Sequence, residues 1–349
     1  MRRSWILLGL ALAACQSQSH APTGSTPSPT ARSNVIYVAD NGQMTELDWS
    51  GNRVGSVSAL GFSSPSPDGS RFLRSSPAGD RLASEDSLGR SLGPLDLNPN
   101  VYGLAAWADD GKHICGIVFP TNRGSDSGSG SLWIGAPGEH GRVVAPVGGP
   151  GSSPAVASCS IEAGRAVVVW GDFPHWPPQA ERHLITTRIK VIDLASGASL
   201  YEHTYTAGEA NPNLRPDWIL DTVSPDGRYV AETGVFANSS SSIRDLASAK
   251  VVATLPGAVV GFDSQGSRVV MNNGPLSQVQ LLSWKNGVVT WHRPGLAQQV
   301  LARPGSDDLL LSITSAAGAG EIVSITEAGT NVIAGDAAIQ WPCPCRPGP

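Results

Sequence analysis

The feature that most limits what this chain can fold into is a hairpin signal that returns along its length. An apolar segment, a tight turn closed by glycine and a second apolar segment recur in that order. The fullest copies are Ser66-Pro67-Asp68-Gly69 before Arg71-Phe72-Leu73, Trp107-Ala108-Asp109-Asp110-Gly111 before Lys112-His113-Ile114, and Ser224-Pro225-Asp226-Gly227 before Arg228-Tyr229-Val230. Phe262-Asp263-Ser264-Gln265-Gly266 before Arg268-Val269-Val270 follows the same plan, and Glu162-Ala163-Gly164 and Pro304-Gly305 are weaker copies. Proline presets φ at the first turn position, aspartate tolerates the bridge region, and glycine takes the left-handed conformation that closes a hairpin. A basic residue stands within two positions of the glycine in five copies, at Arg71, Lys112, Arg165, Arg228 and Arg268. Pairing with the turn carboxylate at the surface is worth only about 0–1 kcal/mol, so these charges are read as structural.

A second hairpin alternates with the first. It appears as Glu46-Leu47-Asp48-Trp49-Ser50-Gly51, Ile192-Asp193-Leu194-Ala195-Ser196-Gly197 and Arg244-Asp245-Leu246-Ala247-Ser248, and more loosely at Ser283–Gly287 and Ile325–Gly329. Each unit is then four short strands, a to d, with tight a–b and c–d turns. The a strands are expected to begin near residues 59, 103, 155, 217, 257, 298 and 336. The last of these has almost no chain after it, whereas residues 34–58 hold strands b, c and d with no a strand before them. Joining the two completes one unit. The expectation is an all-β, seven-bladed β-propeller closed by N- and C-terminal strands sharing one blade, with six or eight blades if one hairpin is misread.

These repeats resemble the TolB-type, WD40-like propeller repeat, whose core runs roughly Trp-Ser-Pro-Asp-Gly followed by an apolar strand. The match covers most of residues 58–315 and is fullest in four units. The resemblance implies a protein-binding propeller or a propeller module beside a catalytic domain, and no such second domain is expected in this chain. Composition agrees with short strands joined by turns. Charged residues are 15% of the chain, below the usual quarter, while 40 Gly and 27 Pro punctuate it. The net charge of −5 comes without a basic patch, so nucleic acid is not an expected partner.

The amino terminus carries its own signal. Arg2 and Arg3 precede an apolar run from Trp5 to Ala14, too short to span the roughly 30 Å of bilayer hydrocarbon and suited to a signal peptide. The run ends in Leu12-Ala13-Ala14-Cys15, which resembles the lipobox of bacterial lipoproteins. That resemblance implies cleavage after residue 14 and acylation of Cys15, and two acyl chains already anchor a protein stably. Residues 15–33, rich in Gln, Ser, Thr and Pro, lack the apolar side chains needed to offset ordering entropy and are read as a disordered tether. The propeller is expected over residues 34–345 and a tail over 346–349, the whole held outside the cytoplasm at the cell envelope.

Four cysteines remain after Cys15. Cys115 and Cys159 fall in neighbouring units, where they either pair or stay as buried thiols. Cys343-Pro344-Cys345 is compatible with a disulfide, a metal pair or two free thiols; with export, the oxidised pair is preferred.

The long connections are b–c and d–a, which emerge on one face of a four-stranded blade, and loops on a rigid scaffold usually carry function. The richest is Trp170-Gly171-Asp172-Phe173-Pro174-His175-Trp176-Pro177-Pro178, followed by Glu181, Arg182 and His183. Exposed aromatics stiffened by proline suit a partner's hot spot, although such a loop can also fold its aromatics onto its own scaffold. Arg215 and Asp217, in the next long d–a connection, are expected to join the patch. His175 and His183 with Asp172 or Glu181 match no known ligand spacing, so no metal is assigned, and no cofactor is expected. Trp107, Phe262 and Trp341 recur at one position of their units and are read as packing between blades. The main expectation is a lipid-anchored binding module for a protein, peptide or glycan. The alternative is a propeller hydrolase or lyase with acidic groups in the central funnel. No carboxylate pair or activated nucleophile stands out, which favours binding.

Overall fold

The computed structural model describes residues 34–40, 43–58, 63–75, 82–96, 105–119, 129–149, 152, 154–172, 186–205, 222–233, 240–315, 319–335 and 338–339. Among them, apart from one 3-10 turn at Gly274–Leu276, every regular element is a strand. The strands form seven antiparallel sheets, numbered here in chain order. Sheet 1 runs Ala338–Ile339, Ile36–Asp40, Gln43–Leu47, Arg53–Ser58, and sheet 2 runs Ser63–Pro65, Arg71–Ser75, Leu82–Asp86, Ser91–Gly93. Sheet 3 comprises Ala106–Trp107, Ile114–Val118, Gly130–Gly135 and Arg142–Val147; sheet 4 comprises Ala155–Ser160, Arg165–Asp172, Thr186–Asp193 and Ser199–Tyr205. Sheet 5 has Tyr229–Thr233, Ser241–Asp245 and Lys250–Leu255, with a bridge from Val223 to Val230 where the other sheets have a first strand. Sheet 6 is Ala258–Phe262, Arg268–Asn273, Gln278–Ser283 and Val289–Pro294, and sheet 7 is Leu296–Ala302, Leu309–Thr314, Gly320–Thr326 and Gly329–Gly335. Serial four-stranded antiparallel sheets are the repeating unit of the propeller type.

Strand character follows position in the sheet. Second strands such as those of sheets 4 and 7 read as continuous apolar runs, Ala166-Val167-Val168-Val169-Trp170 and Leu309-Leu310-Leu311, and every one of these side chains is buried. A strand covered on both faces has no solvent side to make polar. The last strands face water: Trp291 and Arg293 are the only residues of Val289–Pro294 that are not exposed. Each fully buried Val, Leu or Ile contributes about 1.5–3 kcal/mol relative to exposure, so the second strands anchor the fold.

The apolar side chains collect into seven clusters, each bridging two sheets. Val35, Tyr37 and Phe72 join sheets 1 and 2; Leu73, Trp107 and Trp133 join sheets 2 and 3; Cys115, Leu132, Val168 and Leu194 join sheets 3 and 4. Val167, Val230 and Leu246 join sheets 4 and 5, Tyr229, Phe262 and Trp284 join 5 and 6, and Val270, Leu281 and Leu311 join 6 and 7. The seventh cluster packs Leu310 and Ile322 of sheet 7 against Ile36, Val38 and Leu47 of sheet 1. Trp107 and Phe262 are packing residues between sheets, as their recurrence suggested; Trp341 lies outside the described residues. Cys115 and Cys159 form a disulfide across sheets 3 and 4, with Cα atoms 6.3 Å apart.

The a–b turns are built as their residue types dictate. In sheets 2 and 5 the Ser66 and Ser224 hydroxyls donate to the Asp68 and Asp226 carboxylates at 2.6 and 2.5 Å, while the same oxygens accept from the Arg71 and Arg228 amides. In sheet 6 the buried Asp263 replaces the serine and accepts from the Arg268 amide and guanidinium. Gly69 shows why the closing residue is glycine: its φ is +69°, and a Cβ there would lie 2.2 Å from the Val35 carbonyl oxygen. Turns are tied to the neighbouring sheet. Tyr37 donates its hydroxyl proton to the Gly69 carbonyl at 2.7 Å, Ser160 to Asp109 at 2.5 Å, Ser158 to the Pro225 carbonyl at 2.7 Å, and Ser264 to the Ser306 carbonyl at 2.6 Å.

One irregularity repeats in all seven sheets. The last strand holds one extra residue near its c–d turn: Val54, Leu92, Val144, Leu200, Val252, Thr290 and Ile333. A bulge there twists the edge strand and interrupts the row of groups that a foreign strand would pair with. In sheets 1, 2, 3 and 7 the extra side chain packs against a cluster; in sheets 4, 5 and 6 it is exposed.

Candidate interaction surface

Asp172 is the last residue of the second strand of sheet 4, where it is the register partner of Thr186. It therefore belongs to the strand rather than to the connection. Phe173, His175, Trp176, Glu181, Arg182 and His183 lie outside the described residues, as do Arg215 and Asp217, Cys15, Cys343 and Cys345. Residues 173–185 connect Asp172 to its register partner Thr186, and residues 206–221 connect Tyr205 to Thr222. Both segments thus start from one end of sheet 4. The described part of that end carries an aromatic and ionic cluster.

The cluster is built by strand periodicity. In Ser199–Tyr205, Tyr201, His203 and Tyr205 alternate and so share one face. His203 stacks against Tyr201 with ring centres 6.3 Å apart and meets Tyr205 edge-on at 4.5 Å. Sheet 5 faces them with Glu232, from its first described strand, and Arg244, from the next. The Tyr205 hydroxyl donates to Glu232 Oε1 at 2.8 Å, and Arg244 Nε donates to the same oxygen at 2.5 Å. Arg244 Nη2 reaches Glu232 Oε2 at 3.2 Å, and Nη1 donates to the Ala249 carbonyl at 2.7 Å. Glu232 has only 8% of its side chain exposed and Arg244 21%.

The electrostatics make this a positioning cluster. Burial foremost, and then the charge of Glu232 and the hydrogen bond donated to it, hold the Tyr205 hydroxyl well above its ordinary pKa, so it stays a proton donor. Burial likewise raises Tyr201, where the Arg244 charge works the other way. Among the described residues, the buried Tyr201 hydroxyl has no hydrogen-bond partner. Such a group can stack, orient and donate, and it lies toward the sheet end where Asp172, Thr186 and Tyr205 stand. No group of three or more His, Cys, Asp or Glu able to hold a metal occurs among the described residues. The alternation Tyr-x-His-x-Tyr at 201–205 is visible in the sequence as a period-2 aromatic stripe, and it is the signal by which these residues could have been found. Glu232 and Arg244 carry no comparable mark.

No family model and no curated protein matches the chain. Solved structures do resemble it. TolB from Acinetobacter baumannii aligns over 87% of this chain and 66% of its own, at 15% identity and a TM-score of 0.39. Hydrazine synthase from Kuenenia stuttgartiensis aligns over 86% of this chain and 92% of its own, at 15% identity and a TM-score of 0.48. A chain of the mitotic checkpoint complex aligns over 97% and 90%, at 13% identity and a TM-score of 0.43. With TM-scores below 0.5, these likenesses carry nothing about the chemistry of this protein.

Proposed function

We propose that the chain is a closed seven-bladed β-propeller that works as a binding module outside the cytoplasm, tethered by lipid on Cys15. Its partner, a protein, peptide or glycan of the cell envelope, is met by the connections at the Tyr205 end of sheets 4 and 5. Closure is supported by the cyclic order of the seven clusters and by the pairing of Ala338–Ile339 with Val38 and Ala39. The observation that carries binding over catalysis is the chemistry of the first strands. In a propeller these line the central channel, and here they read Ser-Ser-Pro, Ala-Trp, Ala-Val-Ala-Ser-Cys-Ser, Ala-Val-Val-Gly-Phe, Leu-Ala-Gln-Gln-Val-Leu-Ala and Ala-Ile. These six carry no Asp, Glu, His, Lys or Arg among the described residues, which supports binding over acid–base chemistry in the funnel; the seventh, expected near residue 217, lies outside the described residues. The Cys115–Cys159 disulfide supports an oxidising compartment, and the Leu12–Cys15 motif supports the anchor.

Two measurements test the reading. Labelled palmitate fed to bacteria expressing the full chain should mark the protein, and Cys15→Ser should abolish the label; label retained by that variant removes the anchor. Cross-linking at the envelope should join the full chain to a partner that a deletion of residues 172–183 no longer captures. Unchanged partners after that deletion remove the proposed surface.

A further inference from the structure

Away from that surface, an open groove of about 510 Å³ runs between the last strand of sheet 6 and sheet 7. Trp291 and Arg293 form one wall, Ile313 the floor, and Glu321 and Thr330 the other side. Its volume falls within the range of roughly 300–1,000 Å³ usual for sites that hold small ligands. The reason it is open can be found by counting from the bulges. Trp291 follows Thr290 as Tyr201 follows Leu200, which puts Arg293 at the place of His203 and Gly295 at the place of Tyr205. In the facing sheet, Ile313 takes the place of Glu232. Where sheet 4 closes its seam with tyrosine, sheet 6 offers glycine. Gly295 has φ of +118°, and a Cβ there would stand 2.8 Å from Ile313 Cγ2 and 2.8 Å from the Thr314 carbonyl oxygen. The backbone therefore excludes a side chain from the one position that would cover the floor.

The lining specifies a chemistry. Arg293 and Glu321 are ion-paired, each 31% exposed, and so are held in fixed orientation with donors and acceptors to spare. A guanidinium offers five N–H groups and a carboxylate about four lone-pair sites, and their mutual contact uses only part of either. The pair cancels its own charge, which disfavours an anionic or cationic ligand. Trp291 adds a half-buried indole beside it. An aromatic platform next to planar groups that bind adjacent hydroxyls in pairs suits a sugar ring, whose C–H face stacks while its rim hydrogen-bonds. An extended peptide fits less well. It would have to add to the edge strand, and that strand is broken by the Thr290 bulge and ends in Pro294, which has no N–H.

We infer that the groove between sheets 6 and 7 binds a neutral oligosaccharide, with Trp291 as stacking platform and the Arg293–Glu321 pair as hydroxyl ligand. The inference goes beyond the proposed partner surface and uses none of its residues. The test is calorimetric titration of the full chain with maltotriose, cellotriose and triacetylchitotriose. A neutral trisaccharide should saturate one site with a dissociation constant of about 1 mM or tighter. Trp291→Ala and Glu321→Gln should each weaken it by roughly tenfold or more. Because Trp291 also packs in the core, Thr330→Arg serves as the second variant: it fills the mouth from an exposed position and should abolish binding without moving the thermal midpoint. Deletion of residues 172–183 should leave the titration unchanged, which separates this site from the partner surface. Absence of binding by all three sugars, binding indifferent to Thr330→Arg, or tighter binding of a Gly-Glu-Gly-Glu peptide would overturn the inference.

Discussion

The seam between sheets 4 and 5 and the seam between sheets 6 and 7 hold the same two charges in different settings. In the first, Glu232 and Arg244 lie under Tyr205, and the carboxylate is 8% exposed. In the second, Arg293 and Glu321 flank an open groove, each 31% exposed. One residue accounts for much of the contrast, because Tyr205 closes the first seam and Gly295 leaves the second uncovered. A sealed pair contributes to stability and is costly to break. An open pair contributes little to stability, and its unused hydrogen-bonding capacity remains available to a ligand. The same backbone position can serve stability in one sheet and recognition in another.

The contrast can be broken by mutation, beginning with the largest effect. Glu232→Ala strands a part-buried guanidinium and the Tyr205 hydroxyl, and is expected to cost about 3 kcal/mol, read as a lowered urea midpoint. Tyr205→Phe removes only the hydroxyl that donates to a carboxylate and should cost about 1–2 kcal/mol in the same titration. Glu321→Ala should cost no more than about 0–1 kcal/mol. Raised salt should shrink that last value and leave the first nearly intact, since exposed charges are screened and covered ones are not. Equal costs for Glu232→Ala and Glu321→Ala would show that cover does not separate the two seams.

Acid should separate the same two regions by a smaller margin. The c–d turns of sheets 4 and 5 close on Asp193 and Asp245, whereas those of sheets 6 and 7 use Asn286 and Glu327. Burial pushes the Asp245 carboxyl up, but amide hydrogen bonds from Ser248 and Ala247 and the Arg228 charge outweigh it and hold it below its ordinary value. Asp193 is lowered by the Ser196 hydroxyl first and then by the Ser196 amide. A lowered carboxylate contributes stability that is present above its unfolded pKa of about 3.9 and lost as pH falls through the folded value. Amide exchange, corrected for its intrinsic pH dependence, should therefore rise in 193–199 and 245–250 below about pH 4 while 283–289 keeps its protection. A uniform rise would erase the distinction.

Much of the hairpin plan was legible because turns are local. First strands expected near 59, 103, 155, 257, 298 and 336 begin at Ser63, Ala106, Ala155, Ala258, Leu296 and Ala338, and the one expected near 217 lies outside the described residues. The glycine of each a–b turn announces itself within five residues. The c–d turn of sheet 2, Asp86-Ser87-Leu88-Gly89, was overlooked although Asp86 accepts from the Leu88 and Arg90 amides as Asp48 does from Ser50 and Asn52. Partners beyond each turn were not legible. Arg228 could serve its own turn carboxylate, yet its guanidinium pairs with Asp245 of the next strand of the same sheet at 3.4 Å, while Arg268 does pair with Asp263 of its turn. Nothing in the order of residues says that Gly295 and Tyr205 are equivalent, because that equivalence depends on where each bulge falls. Of the candidate partner surface, only Asp172 and the seam beneath it lie among the described residues.

The pairing of Ala338–Ile339 with Val38 and Ala39 has a consequence for how the protein is made. Closing a loop of some 300 residues costs about 5 kcal/mol of chain entropy, and that contact cannot form until the far end of the chain has emerged. Until then Ile36–Asp40 presents a bare flank on the side its last-made neighbour will occupy. Maturation should finish there, late and in a single step, and a holding chaperone would have its longest opportunity at that strand.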